Sequence, residues 1–207
     1  MSVDYSQWGE QKYITEFFHG LTGKFLDLGA FDGLTGSNTR GLSDLGWHGV
    51  LVEPSPFIFQ RLIENHAGND KMSFVNAAVM PENGLVTFYD SGSQLATCKQ
   101  DHLVSEYVKR KYSVSGIMPE CLIPAFGNTF DFVSLDVEGL DAPVLRAMGP
   151  ILEHTKLLCV EDSIPGTVFN EDYYSDLMDV CKYHGFTKVV GRTYAESKPA
   201  NTILSKQ

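Results

Sequence analysis

The sequence predicts an α/β protein built on a doubly wound, parallel sheet, and three observations carry that prediction. Short apolar runs alternate with segments of helical spacing along most of the 207 residues. The first such run, Lys24-Phe25-Leu26-Asp27-Leu28, stops abruptly at two glycines four residues apart, Gly29 and Gly33. A second run, Gly49-Val50-Leu51-Val52, ends in Glu53-Pro54, which places an acid 24 positions after Gly29. Strand, glycine turn and helix is the opening of a nucleotide site, and the length suits a single domain over 1–207 with one substantial core.

Each element follows in order. Tyr13, Ile14, Phe17 and Phe18 have helical spacing, so a helix lies within residues 6–20. The polar stretch Ser6-Gln7-Trp8-Gly9-Glu10 makes 1–22 a candidate cover for the ligand, although simple packing explains it as well. Phe25, Leu26 and Leu28 read as a buried strand, and the turn after it feeds a helix that begins between Thr35 and Thr39 and ends by Gly46. Pro54 cannot continue a ladder, so the second strand stops there and leaves the Glu53 carboxylate at its C-terminal edge. Pro56 to His66 is a third helix. Ser73 to Val79 is a third strand, with Asn76 and Ala77 near its C-terminal end, where open α/β sheets bind their ligands.

From Leu85 to Asp90 strict alternation predicts a strand. Residues 91–100 are small and polar, Asp101 to Tyr112 reads as a helix with Leu103, Val104, Tyr107 and Val108 on one face, and 114–128 is an irregular connection. Region 91–128 is therefore the least regular part and the expected substrate cover. The stretch from Phe130 to Gly139 is a buried strand ending in Asp136 and Glu138, and Asp141-Ala142-Pro143 opens a helix through Met148. Lys156 to Val160 is another buried strand, with Glu161-Asp162 at its end. Asn170 to His184 is a helix stopped by Gly185, and Thr187 to Val190 with Thr202 to Leu204 forms a short closing hairpin.

Composition narrows the function classes. Acidic residues (26) outnumber basic ones (16), giving a formal charge of −10 that disfavours a broad phosphate-backbone interface, so no nucleic-acid partner is expected. Lys109-Arg110-Lys111, the one basic cluster, reads as the solvated end of a helix. Cys98, Cys121, Cys159 and Cys181 are widely spaced and suggest neither a disulfide framework nor a zinc site. No leader-like start or membrane-length apolar run occurs, so a cytoplasmic setting is expected, with the oligomeric state open.

The glycine spacing says which nucleotide. A residue without Cβ takes positive φ and lets a ligand lie directly on main chain. A dinucleotide site wants GxGxxG with its middle glycine under the pyrophosphate, and here that position is Phe31, which disfavours a nicotinamide-dependent oxidoreductase. The pattern is DxGxxxG, similar to motif I of S-adenosylmethionine-dependent methyltransferases. An acid about twenty positions on accepts hydrogen bonds from ribose hydroxyls in Rossmann-like sites, the position Glu53 occupies.

Three segments, Gln7 to Tyr13, Phe25 through Ser37-Asn38-Thr39 to Pro54, and Leu135-Asp136-Val137-Glu138-Gly139, together resemble the FkbM-type family of S-adenosylmethionine-dependent methyltransferases. The resemblance implies the class I fold, a Rossmann-like seven-stranded mixed sheet with its final strand antiparallel. It also implies methyl transfer to oxygen, with the hydroxyl of a sugar, glycan or small natural product as acceptor. The positions matching Asp27, Gly29 and Gly33 then hold the methionine part, Glu53 the ribose, and Asn76 and Ala77 the adenine rim. Ala30, Ser37, Asn38, Pro54 and Asp136 complete the expected cofactor contacts.

An alcohol is a poor nucleophile at neutral pH, so a general base or a metal ion is expected. In one reading Asp136 or Glu138 is the base, with Glu161 beside them. In the other, Asp136, Glu161 and Asp162 hold Mg²⁺, a hard cation that prefers oxygen, an arrangement similar to that in catechol and macrolide-sugar O-methyltransferases. Glu138 as a plain helix cap and Glu161-Asp162 as a solvated strand end is the third reading. His102 and His154 are further candidate bases without recognisable partners. The rival to an enzyme is a binding or regulatory module that keeps the pocket without turnover.

Overall fold

The computed structural model describes residues 3–94, 96–98, 108–161, 171–195 and 198–207. In chain order the elements are α1 (Glu10–Phe18), β1 (Lys24–Leu28), α2 (Arg40–Asp44), β2 (His48–Val52), α3 (Pro56–Asn65), β3 (Met72–Val75), β4 (Ala78–Val79), β5 (Gly84–Asp90), β6 (Arg110–Ile117), a 3-10 turn (Pro119–Leu122), α4 (Ile123–Phe126), β7 (Phe132–Leu135), α5 (Asp141–Arg146), α6 (Gly149–Leu152), β8 (Leu157–Glu161), α7 (Glu171–Tyr183), β9 (Phe186–Ala195) and β10 (Lys198–Lys206).

Seven strands form one sheet in the order β3-β2-β1-β7-β8-β10-β9. β1 pairs in parallel with β2 and β7, while β10 runs antiparallel to both β8 and β9, so the last strand alone is reversed. This is the α/β, seven-stranded mixed sheet that the resemblance implied. Alternate side chains of each strand feed two cores. Phe25, Leu51, Phe132 and Ile203 pack with Ile14, Leu42 and Leu62 of α1 to α3. Leu26, Leu28, Val133 and Leu158 pack with Val144, Leu145 and Leu177 of α5 and α7. Burial of each such side chain is worth about 1.5–3 kcal/mol, which makes these two layers the principal support of the sheet.

The middle of the chain differs from its sequence reading. β4, β6 and β5 form a separate three-stranded sheet, with β5 and β6 antiparallel from Gly84↔Gly116 to Asp90↔Arg110. Residues 110–112 of the expected helix belong to β6, Val108 and Lys109 are not helical, the expected irregular connection begins as strand, and 101–107 lie outside the described residues. Arg110 stacks over Phe57 at 4.1 Å and Lys111 over Tyr89 at 5.1 Å, so the basic cluster opens a strand instead of ending a helix. Alternation of Tyr112 and Val114 with Ser113 and Ser115 signals this strand, and the apolar face read for 101–112 obscures it.

Two boundaries also move. The expected strand over 73–79 breaks at Asn76, whose amide donates to the Glu53 and Pro54 carbonyls at 2.8 and 3.2 Å and turns Ala78 into the second sheet. The closing hairpin is far longer than expected, because the Thr- and Val-rich flanks continue both ladders through Pro199↔Tyr194 despite the proline.

Candidate active site

The sheet grows in opposite directions from β1, towards β2 on one side and β7 on the other, and ligands bind outside the carboxyl ends of such strands. A cleft of about 410 Å³ opens there. Asp27, Gly29, Ala30, Ser37, Asn38, Glu53, Pro54, Ala77, Asp136, Glu138 and Glu161 all line it. The sequence thus brought together eleven of its expected residues. Gly33 and Asn76 do not line the cleft.

Gly29 sits at φ 91°, and a Cβ there would lie 1.8 Å from the Asp136 carbonyl oxygen, so only glycine lets the ends of β1 and β7 meet. Its NH and that of Ala30 both donate to the Val52 carbonyl at 3.0 Å, which turns the loop across β2. Phe31 is held at φ 49°, unusual for a bulky residue, and its NH donates to Glu53 Oε2 at 3.1 Å. Gly33 has another duty. A Cβ at Gly33 would meet Leu62 Cδ1 at 2.4 Å, so that glycine seats the loop on α3. Asp32, which sequence reasoning passed over, is the loop's internal anchor. It accepts from the Leu34 and Thr35 NH groups at 3.1 and 2.7 Å and pairs with Arg61 at 2.9 Å. An acid followed at two and three residues by its own acceptor-seeking NH groups is the local signal that identifies it.

The helix after the loop is shorter than expected. It begins at Arg40, and Ser37, which lines the cleft, also accepts from the Arg40 NH at its Oγ at 3.0 Å. Asn38 Nδ2 reaches Ser134 Oγ at 3.3 Å, and its Oδ1 is buried with no hydrogen-bond partner among the described residues.

Five carboxyl groups share the cleft. Asp27 accepts from Thr39 Oγ1 at 2.6 Å, yet burial pushes it up to about 6. Glu53 accepts from the Ser55 NH at 2.7 Å as well as from Phe31, and burial, with the charges of Asp90 and Asp27, raises it to about 8. Across the cleft, Asp136, Glu138 and Glu161 offer oxygens that all lie within 4.8 Å of one another. Burial, and then the charges of Glu138, Asp141 and Asp27, hold Asp136 well above the usual carboxylate range. Glu161 is held up in the same way by burial and by Asp136, with which it shares a hydrogen bond. Burial raises Glu138 to about 8, with Asp141 adding to the effect. Among the described lining residues there is no Lys, Arg or His, so the cleft favours a cation.

Glu138 stands at φ 54°, and Asp141 holds it there. The Asp141 carboxyl accepts from the Val137 and Gly139 NH groups at 3.1 and 3.2 Å and from the Tyr173 hydroxyl at 2.7 Å. Asp141 was legible as a helix cap, and the structure shows its carboxyl reaching back over the loop. Asn201 on β10 is the register partner of Glu161 and lines the cleft beside it. Its Nδ2 donates to buried Glu10 at 2.7 Å, and Glu10 also accepts from Thr193 Oγ1 at 2.6 Å and the Trp8 NH at 2.9 Å. No sequence signal joins residues so far apart. Gln7 and the Ser6↔Gly36 bridge bring the segment before α1 over the glycine loop. Cys98 also lines the cleft, but burial pushes its thiol up to about 12. His154 is exposed and precedes β8, at the opposite edge of the sheet from the cleft. His102 and Asp162 lie outside the described residues.

The family described as the methyltransferase FkbM domain matches residues 27–187. No curated protein matches the chain in sequence. Solved structures match in fold. A fibrillarin pre-rRNA processing protein of Methanococcus jannaschii is 14% identical with a TM-score of 0.53, covering 89% of this chain and 66% of its own. A TehB-like SAM-dependent methyltransferase from Corynebacterium glutamicum is 14% identical with a TM-score of 0.52, covering 97% and 88%. Aeropyrum pernix fibrillarin, solved with natively bound S-adenosyl-L-methionine, is 15% identical with a TM-score of 0.54, covering 95% and 76%. Among the described residues, no helix is long and apolar enough to cross a membrane.

Proposed function

Because the chain belongs to the FkbM methyltransferase-domain family and has the class I S-adenosylmethionine-dependent methyltransferase fold, we propose that it moves a methyl group from that cofactor to a hydroxyl of a sugar, glycan or small natural product. One observation carries the reading. A glycine turn and an acid at the next strand end face, across a single cleft, three clustered carboxyls. The cleft fits the cofactor by its size, by its acid-rich lining and by the buried, unpartnered Asn38 Oδ1 and Asp136 Oδ1.

When bound, S-adenosylmethionine supplies a sulfonium methyl open to in-line displacement. Asp27 and Asn38 hold its methionine end and Glu53 its ribose, each Glu53 oxygen keeping a lone pair beyond the backbone NH it already accepts. Ala77 borders the adenine. Glu138 is the general base: its carboxylate takes the acceptor's hydroxyl proton as the oxygen attacks, and its raised affinity for protons suits it to that transfer. Asp136 and Glu161, joined by their shared hydrogen bond, orient the acceptor, and such alignment is worth several kcal/mol of barrier.

A second reading has a specific observation behind it. The oxygens of Asp136, Glu138 and Glu161 lie close enough to hold Mg²⁺, which would lower the hydroxyl's pKa in place of a base. Transfer of labelled methyl to a panel of sugars, glycans and small alcohols tests the activity, and it is expected to yield methyl ethers. Cofactor binding with no transfer across the panel would favour a binding module. EDTA separates the two chemistries, since unchanged turnover would remove the metal.

A further inference from the structure

The second sheet reaches the cofactor half of the cleft by a route that sequence reading did not suggest. Ser55 lies three residues beyond β2, at the start of α3, and is buried. Its NH donates to Glu53 Oε1 at 2.7 Å, and its Oγ accepts from the Ile58 NH at 3.4 Å to cap α3. The same Oγ lies 3.1 Å from the hydroxyl oxygen of Tyr112 on β6. That Tyr112 oxygen is also 3.0 Å from Asp90 Oδ2 on β5. A carboxylate only accepts, so the single Tyr112 proton goes to Asp90 and Ser55 donates its own to the phenol oxygen. Every proton in the chain from Ile58 through Ser55 and Tyr112 to Asp90 then has one direction.

The ends of this chain are fixed. Asp90 is 2% exposed, its Oδ1 accepts from the Gly92 NH at 2.6 Å, and Arg110 lies 3.9 Å from its other oxygen. The Tyr112 ring is wedged between Phe57 of α3 and Phe88 of β5, with centroids at 6.1 and 5.7 Å. The hydroxyl is therefore aimed by packing that does not depend on it.

We propose that Tyr112 is a positioning residue for the cofactor: through Ser55 it fixes the Glu53 carboxyl for the ribose hydroxyls, so the second sheet sets cofactor affinity. The inference rests on the reading of Glu53 as the ribose acid. The Tyr112 phenol responds to the same neighbourhood, being pushed up to about 12 by burial and by Asp90 and Glu53.

Tyr112→Phe removes one oxygen and leaves the wedged ring, so the variant keeps its fold. Calorimetric titration with S-adenosylmethionine is expected to show affinity lowered about fivefold, the effect of one lost hydrogen bond, with the melting temperature of the free protein nearly unchanged. In a Glu53→Gln background the same substitution is expected to have no further effect, because the group it positions is gone. Equal affinity for Tyr112→Phe and wild type, with Glu53→Gln weakened, overturns the role of Tyr112 alone. An unweakened Glu53→Gln removes the ribose reading itself. Additive losses in the double variant also overturn the proposal, since they would mean that Tyr112 acts by another path.

Discussion

On the wall built by β1 and β2, the loop anchor, the strand-end acid and the glycine that lets strands meet all fall within a few residues of a strand end. On the opposite wall Asp136, Glu138 and Glu161 are framed by groups that arrive from α7, β10 and α1, in contacts that span up to 191 residues. The first wall is made by local chemistry, a positive-φ turn and an acid halted by proline, and so it can be read along the chain. The second is held by contacts between distant elements. Its geometry depends on which residues happen to become neighbours.

The largest expected effect lies where the walls meet. Glu138→Gln should lower methyl transfer by roughly 10²–10⁴-fold, the usual weight of a general base, while calorimetry shows cofactor affinity within about twofold of wild type. A rate within tenfold of wild type would remove Glu138 as the base. Gly29→Ala is next. Its Cβ would meet the Asp136 carbonyl at 1.8 Å in a left-handed backbone, so thermal unfolding should show a loss of roughly 3 kcal/mol or more. Gly84, on β5 of the second sheet, has open space around it, and Gly84→Ala should change stability by less than about 1 kcal/mol. Similar losses at the two glycines would show that the close approach at Gly29 does not set its need for glycine.

Glu53→Gln should weaken cofactor binding by roughly 1–3 kcal/mol, as expected when one partner of a buried hydrogen-bonded group is altered. The smallest effect concerns pH. Glu53 and Glu138 are both raised to about 8 in the folded chain, above their unfolded value of 4.5, so folding takes up protons between the two. Their contribution to stability is complete below the unfolded value and is lost as pH rises through about 8. The melting temperature of the ligand-free protein should therefore fall between pH 6 and pH 9, and a rise would show that these carboxyls are solvated.

The same division explains what the sequence made legible. The apolar runs at Phe25–Leu28, Gly49–Val52 and Phe132–Leu135 are buried strands of the expected sheet, since a strand buried on both faces needs continuous apolar character and little else. Glu53, Asp136 and Glu138 follow those strands and Glu161 ends β8, so locating the strands located the carboxyls. The strand Arg110–Ile117 was misread because its outward residues are basic or small and its inward residues answer to β5, β4 and α3, partners set only by the fold. Gly33 was assigned to the ligand because it shares a motif with Gly29, yet its missing Cβ serves Leu62 and His66, a contact visible only once α3 is in place. Glu10 was likewise hidden, and so was the hold of Asp141, legible as a helix cap, on the Val137 and Gly139 NH groups, because these partners are backbone groups and distant side chains.

The central claim is that both walls enclose one S-adenosylmethionine molecule. Calorimetric titration of the full chain with S-adenosylmethionine and, separately, with NAD tests it most directly. The account predicts saturable one-to-one binding of the sulfonium nucleoside and no heat from NAD. Saturable binding of NAD with none of S-adenosylmethionine would contradict it.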